Sequence, residues 1–321
     1  MRDLLRNPNH NSVMMAYGIT AAGKTYTLEG SRASPGVMAR ALEALFAGLA
    51  SHAEAVQVRA SYYEVYNEQL YDLLDDSAVP LAGRAALRLK EDAAGRVFVA
   101  GLSAAAVGSA AEALAALRRG SRQRQRAETG LNYASSRSHS VFSVALYQGA
   151  AADGDVAGDG GGEGGDVAAG QLGRLAFVDL AGSERAQRTG NVGVRLKESV
   201  AINSSLMTLG RCLEALRWNQ QHRGGPLRVV PYRESKVTHL FRDALHGWGQ
   251  VVLSVNVSPV AGDYDETSHV LKVRRVAVVG VRVCCAAGGG GAAAAGAAGT
   301  ISLPSMDFCE VVRAGCVGWV V

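Results

Sequence analysis

The sequence predicts an α/β sandwich with helices on both faces of a sheet, and three observations predict it. Short apolar runs of strand character alternate with helical patterns over most of the chain. The run VMMAY at 13–17 leads into a Gly-rich segment, GITAAGKT at 18–25, from which a helical pattern opens. Two more apolar runs, HSVFSVALY at 139–147 and GRLAFVDLA at 173–181, read as buried strands, the second carrying an acidic residue at its end.

Composition permits such a fold. A chain of 321 residues, 48% of them apolar, can bury a sizeable core. The 33 Lys and Arg against 29 Asp and Glu leave a net charge of +4, so charge alone does not argue for a nucleic-acid or membrane partner. Cys212, Cys284, Cys285, Cys309 and Cys316 are odd in number and show no paired CxxC spacing. That pattern argues against a zinc site and a disulfide scaffold, and favours a reducing, intracellular setting. The opening MRDLLRNPNHNS lacks the apolar stretch of a signal peptide. The uncharged run at 283–303 is long enough to span a membrane, but 286–299 is all Ala and Gly, so it reads as a linker and no membrane span is expected.

In chain order, 57–74 (VQVRASYYEVYNEQLYDLL) begins as a strand and is expected to break into a short helix near Asn67. The cluster RRGSRQRQR at 118–126 has five arginines and no acid, and reads as an exposed helix end rather than a nucleic-acid site. Between the strands at 139–147 and 173–181, the Gly- and Asp-rich stretch 149–170 cannot support packing and is expected to be a disordered hairpin tip. Residues 196–218 place Ile202, Leu206, Leu209, Leu213 and Leu216 at helical spacing, which makes a long amphipathic helix. One more helix follows Pro231, and QVVLSVNVSP at 250–259 is a last buried strand. After Arg275 the periodicity fails, leaving 279–321 as a low-complexity Ala/Gly-rich tail that is dispensable for folding. No internal repeat or coiled-coil heptad is apparent, so self-dimerisation is not supported.

The chemistry concentrates in three segments. GITAAGKT has a Gly, four residues, then Gly-Lys-Thr; small residues let successive N–H groups curl around phosphates, and the helix that follows adds its positive end. Lys24 would pair with the β- and γ-phosphates of a nucleotide, and the Thr25 hydroxyl would ligate magnesium. NYASSRSH at 132–139 gathers hydroxyl and amide groups around one arginine just before a strand. DLAGSE at 179–184 places an acid, able to hold magnesium through water, at a strand end beside a Gly whose N–H can sense a terminal phosphate. Taken singly, these could be a chance Gly-rich turn, a polar loop with capping serines and an ordinary strand-end turn.

Together and in this order, GITAAGKTYT, NYASSRSH and DLAGSE resemble the P-loop, first switch and second switch of kinesin motor domains. AINSSLMTLGRCLEAL at 201–216 and VPYRESKVTHLFRDAL at 230–245 resemble that family's principal microtubule-facing helix and the loop and helix after it. The resemblance covers about residues 10–278, and LNYASSRSH, RLKESVAINSSL, LRWNQQH and YDETSHVLK are most similar to the mitotic-kinesin-like class of the central spindle. It implies a P-loop nucleoside-triphosphatase fold, a three-layer sandwich with a central, mostly parallel mixed sheet, and a motor domain over 1–278. ATP and Mg2+ are the implied cofactors and microtubules the implied partner. No nucleic acid is implied. The implied location is cytoplasmic, on the microtubule cytoskeleton, spindle included.

Carried onto this chain, the resemblance implies that Gly18, Ile19, Thr20, Ala21, Ala22, Gly23, Lys24 and Thr25 hold the phosphates, with Tyr26 against adenine or else buried in the core. Thr25, Ser136 and Asp179 would complete the metal shell. Ser135 and Ser136 would position the attacking water, the Gly182 N–H would sense the terminal phosphate, and Arg137 would pair with Glu184 to close the switches. Arg185, Arg188, Arg233 and Lys236 would face acidic tubulin, with Arg223 and Arg228 adding to that field. Asn203 matches a family asparagine or caps a helix, and His139 is read as a satisfied structural histidine.

The chain also departs from the family pattern. A first sheet strand and an Arg- and Pro-containing segment that normally precede this region are not seen, so an N-terminally truncated domain with an exposed sheet edge is expected. No neck linker is recognisable. His239 stands where many members carry Arg, and Ala21 replaces a polar residue. The leading expectation is a microtubule-stimulated ATP hydrolase, and the alternative is a truncated, non-motile microtubule-binding module or inactive fragment.

Overall fold

A computed structural model describes residues 10–31, 33–50, 55–77, 83–130, 135–149, 171–185, 194–222, 224–247, 249–272 and 281–287. The strands are β1 (His10–Tyr17), β2 (Val56–Tyr66), β3 (Gln69–Asp72), β4 (Arg88–Glu91), β5 (Val97–Ala100), β6 (Ala105–Ala106), β7 (His139–Gln148), β8 (Gln171–Asp179), β9 (Gly249–Val257) and β10 (Val281–Ala287). The α-helices are α1 (Lys24–Glu29), α2 (Val37–Ala50), α3 (Ala110–Gly130), α4 (Val194–Gln221), α5 (Lys236–Leu240), α6 (Arg242–His246) and α7 (Tyr264–Lys272).

The main sheet runs β10-β9-β1-β8-β7-β2-β3, with β6 on β2, and β4 and β5 form a separate hairpin. It is mixed: β10, β9, β1 and β8 are parallel neighbours, whereas β7, β2 and β3 add antiparallel pairs. Alternation along β1 shows how the layers arise, because successive side chains of a strand point to opposite faces. Val13, Met15 and Tyr17 enter a core built with Ile202, Leu206, Leu209, Leu213 and Leu216 of α4 and with the apolar faces of α5, α6 and α7. Met14 and Ala16 enter a second core with Leu28 of α1, Leu42 and Leu45 of α2, and Leu117 of α3. Helices therefore cover both faces, and the helical spacing read at 202–216 is the buried stripe of α4.

Four local expectations are corrected. Near Asn67 there is no helix: Asn67 and Glu68 both take positive φ, 49° and 56°, and Tyr66 pairs directly with Gln69. Two left-handed residues in a two-residue loop make a hairpin whose twist matches its strands. The helix after Pro231 is two short helices, because Phe241, with φ −106° and ψ 16°, leaves helical geometry between them. Asn203 is not at a helix end, since it lies well inside α4.

The fourth correction concerns the tail. The reading of 283–303 as a linker fails at its start, where β10 pairs with β9 in parallel register from Val281 opposite Val251 to Ala287 opposite Val257. Parallel neighbours need a crossover, which α7 supplies. Beside β9 the sheet thus has a further strand, which forms its edge. Ending the chain at Gly280 is expected to lower the melting temperature by several degrees, and a chain ended at Ala287 isolates the contribution of the strand. Equal melting of all three would show that the pairing adds no stability. The stretch 150–170 and the tail from 288 onward lie outside the described residues.

Candidate functional site

The site forms where β1, β8 and β9 end side by side. Leaving β1, the chain turns through Gly18 and Gly23, with Gly23 at φ 88° and Ala21 in the left-handed region at φ 64°, and α1 begins at Lys24. For a residue other than Gly, that conformation carries a cost of roughly 1–2 kcal/mol, which the closed turn must offset. Gly18 has no alternative: its φ is 155°, and a Cβ there would run into the Asn256 carbonyl of β9. Asn256 also braces α1, its Nδ2 donating to Thr27 Oγ1 at 2.7 Å.

Three segments that are far apart in sequence meet at this turn. Thr25 Oγ1 donates to Asp179 Oδ2 at 2.6 Å. Glu184 accepts from the Thr20 N–H at 2.9 Å and from Thr20 Oγ1 at 2.6 Å. The Gly182 N–H donates to the Ser136 carbonyl at 2.9 Å, and the Ser183 N–H to the Gly18 carbonyl at 3.1 Å. Lys24 folds over the turn, with Nζ 3.0 Å from Gly18 O and 2.8 Å from Ile19 O. Burial pushes the Lys24 pKa down, while the negative charges of Asp179 and Glu184 work against that shift.

Asp179 Oδ1 is buried and has no hydrogen-bond partner among the described residues, and it sits on the carboxylate whose other oxygen holds Thr25. A buried carboxylate oxygen left over beside a hydroxyl is the donor set a hard cation takes up, directly or through water. The residues therefore fit magnesium and a polyphosphate. Tyr26 is 53% exposed, so it is not a core aromatic.

Beneath this turn lies an arrangement that sequence reasoning missed. Arg124, read as part of an exposed helix end, is only 7% exposed. Its Nε donates to Glu64 Oε1 at 3.1 Å, Nη1 to Ser140 Oγ at 3.1 Å, and Nη2 to Ser138 Oγ at 2.9 Å. Ser138 Oγ in turn donates to Glu64. One guanidinium thus ties α3 and β2 to the residue after Arg137. Burial opposes its charge, but Tyr62, Glu64 and Asp179 overcome that and raise its pKa. Glu29 of α1 feels the same buried field: burial, and then Asp179, push its pKa up.

His139 is buried, as a structural histidine should be, and burial followed by Arg124 and Lys24 brings its pKa down to about 3. Two of the basic candidates, Arg185 and Arg233, pair with acids within the chain. Arg185 donates from Nε to Glu266 Oε1 of α7 at 2.9 Å, and Arg233 from Nη2 to Glu91 Oε1 of β4 at 3.0 Å. Glu91 also receives His239 Nε2 at 3.1 Å, and that bond, with Arg233, holds its carboxyl below the ordinary range. For Lys236 it is the backbone N–H that donates to Glu68, at 2.6 Å. Arg228 stacks on Trp218, 3.8 Å from the ring centre. Arg188 and Arg223 lie outside the described residues.

The sequence matches a family model described as "Kinesin motor domain" over residues 7–277. It is 39% identical over 264 residues to the Kinesin-like protein KIN-8B of Arabidopsis thaliana, an alignment covering 82% of this chain and 30% of that protein. It is 33% identical to the Kinesin-like protein KIF23 of Mus musculus, covering 85% of this chain and 36% of that one. The chain thus spans little more than a third of these relatives at most. Among solved structures, one described as "kinesin 6" superposes with a TM-score of 0.68 at 30% identity, covering 84% of this chain and 82% of that one. A KIF14 fragment with ADP in complex with a microtubule gives a TM-score of 0.68 at 33% identity, covering 92% and 77%.

Proposed function

Because this chain belongs to the kinesin motor-domain family, we propose that it hydrolyses ATP at the Gly18 turn and that microtubules stimulate the turnover. The observation that carries the reading is the meeting of the turn with both switch segments, through Thr25 with Asp179, Thr20 with Glu184, and Ser136 with Gly182. When bound, magnesium and ATP supply the phosphoanhydride to be cleaved and screen its charge.

The chain's own residues position and exclude. Lys24 would exchange its carbonyl partners for phosphate oxygens, and Thr25 and Ser136, through their hydroxyls, with Asp179, through water, would hold the metal. The Gly182 N–H leaves the Ser136 carbonyl to read the terminal phosphate, while Ser135 and Ser136 place the attacking water. Glu184, which here grips Thr20, is the proposed partner of Arg137 in the closed switches. Such a pair is bidentate and charge-assisted, so it forms in one geometry only. Catalysis of this kind is positioning and electrostatics.

Arg185, Arg233, Lys236 and Arg188 are the proposed contacts to acidic tubulin, with Glu266 and Glu91 competing for the first two. The finer kinship, with the mitotic-kinesin-like class and hence the spindle, rests on the motifs at 131–139 and 195–206 and on the likeness to the kinesin 6 structure. Phosphate release from Mg·ATP is the test, with and without polymerised tubulin. Turnover that rises with microtubules is expected. Microtubule binding with no turnover would favour the non-motile module, and turnover indifferent to microtubules would overturn the partner.

A further inference from the structure

His139 opens β7 and is 4% exposed, yet its ring joins three elements. Nδ1 accepts the backbone N–H of Ala181, in the second-switch segment, at 3.1 Å. The ring proton is therefore on Nε2, which lies 2.9 Å from Ser205 Oγ in α4. Ser205 Oγ spends its own proton on the Ile202 carbonyl at 2.8 Å, so it can only accept from the ring. The direction of every bond is fixed, from the Ala181 N–H through the imidazole to Ser205 and then Ile202.

We propose that His139 is a positioning residue that links the backbone of the second-switch segment to α4, so that phosphate binding and the set of that helix move together. The proposal rests on the nucleotide and microtubule reading above. Ala181 adjoins Gly182, whose N–H is assigned to the terminal phosphate. If that backbone shifts, either the buried Ala181 N–H loses its partner or the ring follows it. The first outcome is costly for a buried donor. A ring packed on every side cannot swing without carrying Ser205, and Ser205 lies one helical turn beyond the buried Ile202 and beside Leu206. Met207, two residues on, is 67% exposed on the outer face of the same helix. The outer face of α4 is thus mechanically tied to the phosphate side of the sheet.

Ser205→Ala removes the α4 end of the link without touching either switch. Its ratio of microtubule-stimulated to basal turnover is expected to fall about tenfold, the weight of one buried hydrogen bond, with basal turnover kept within about twofold. His139→Asn places an acceptor where Nδ1 was but does not reach Ser205, so it should lower the same ratio by a similar factor. The double variant should lower it no further. A merely structural role would instead depress the melting temperature and scale both rates together. An unchanged ratio in both single variants, or losses that multiply in the double, would overturn the link. Should the parent chain itself show no microtubule stimulation, the functional reading fails separately. The link is then read by hydrogen exchange across α4 in ADP against a non-hydrolysable ATP analogue. A nucleotide-dependent difference in the parent that Ser205→Ala abolishes supports it, and one that persists in Ser205→Ala overturns it.

Discussion

Replacing Lys24 with Ala is expected to weaken ATP binding by more than about a hundredfold while shifting the melting temperature by only a few degrees, roughly what 1 kcal/mol does in a domain of this size. The asymmetry follows from the burial of the ammonium. Removing it deletes the cation that folds over the turn, so the phosphates lose charge-assisted bonds that each contribute about 1.5–3 kcal/mol. The fold loses far less, because burial disfavours that same charge and pushes its pKa down. Two backbone carbonyls, Gly18 O and Ile19 O, give up their Nζ partner and turn to water. Calorimetric titration with Mg·ATP is the measurement, and equal affinity in parent and variant would rule out the phosphate site assigned here.

The second large effect is on stability. Arg124→Met should destabilise the fold by about 3–5 kcal/mol, the range for breaking a buried pair from one side. The cost arises on the partner: Glu64 is 1% exposed and would lose the guanidinium, keeping the Ser138 hydroxyl as its partner among the described residues. Converting Glu64 to Gln in the same chain should recover a good part of the loss, because the stranded charge is then gone. Urea denaturation of the parent, the single variants and the double variant measures the coupling. A loss below about 1 kcal/mol in Arg124→Met would show that the pair is no anchor.

These two residues also mark what the sequence made legible. Lys24 could be found because its site is local: eight successive residues carry the turn, and the strand before and helix after follow from apolar spacing. Asp179 and Gly182 could be found for the same reason. Arg124 could not, since its partners Glu64, Ser140 and Ser138 lie 60, 16 and 14 residues away and it is one of five arginines in the stretch 118–126. Only the packing of α3 on β2 distinguishes it from them. The bond from Arg185, whose side chain stays 57% exposed, to Glu266, 81 residues on, has no local cue either.

Backbone errors have equally specific causes. The β2–β3 hairpin escaped because its second turn residue is Glu, which seldom takes positive φ, where Gly would have signalled the turn. The break at Phe241 carries no Gly or Pro. β10 was lost to the Ala/Gly run that begins at its end, a composition that suppresses any strand signal.

The placing of β1 between β8 and β9 bears on how the protein is made. Both of its neighbours come late in the chain, beginning at Gln171 and Gly249. A ribosome adding about 5–20 residues per second completes β9 roughly ten to fifty seconds after β1 has been synthesised. Both edges of this apolar strand are bare until β8 is made, and the edge that β9 covers stays exposed to other nascent chains for the whole interval, the situation in which strand-to-strand aggregation begins. The phosphate turn can take its shape only afterwards, when Asn256 arrives to back Gly18. Yield from a rapid, chaperone-poor translation system should therefore be limited by aggregation of the first half of the chain, well before any nucleotide can bind and stabilise it.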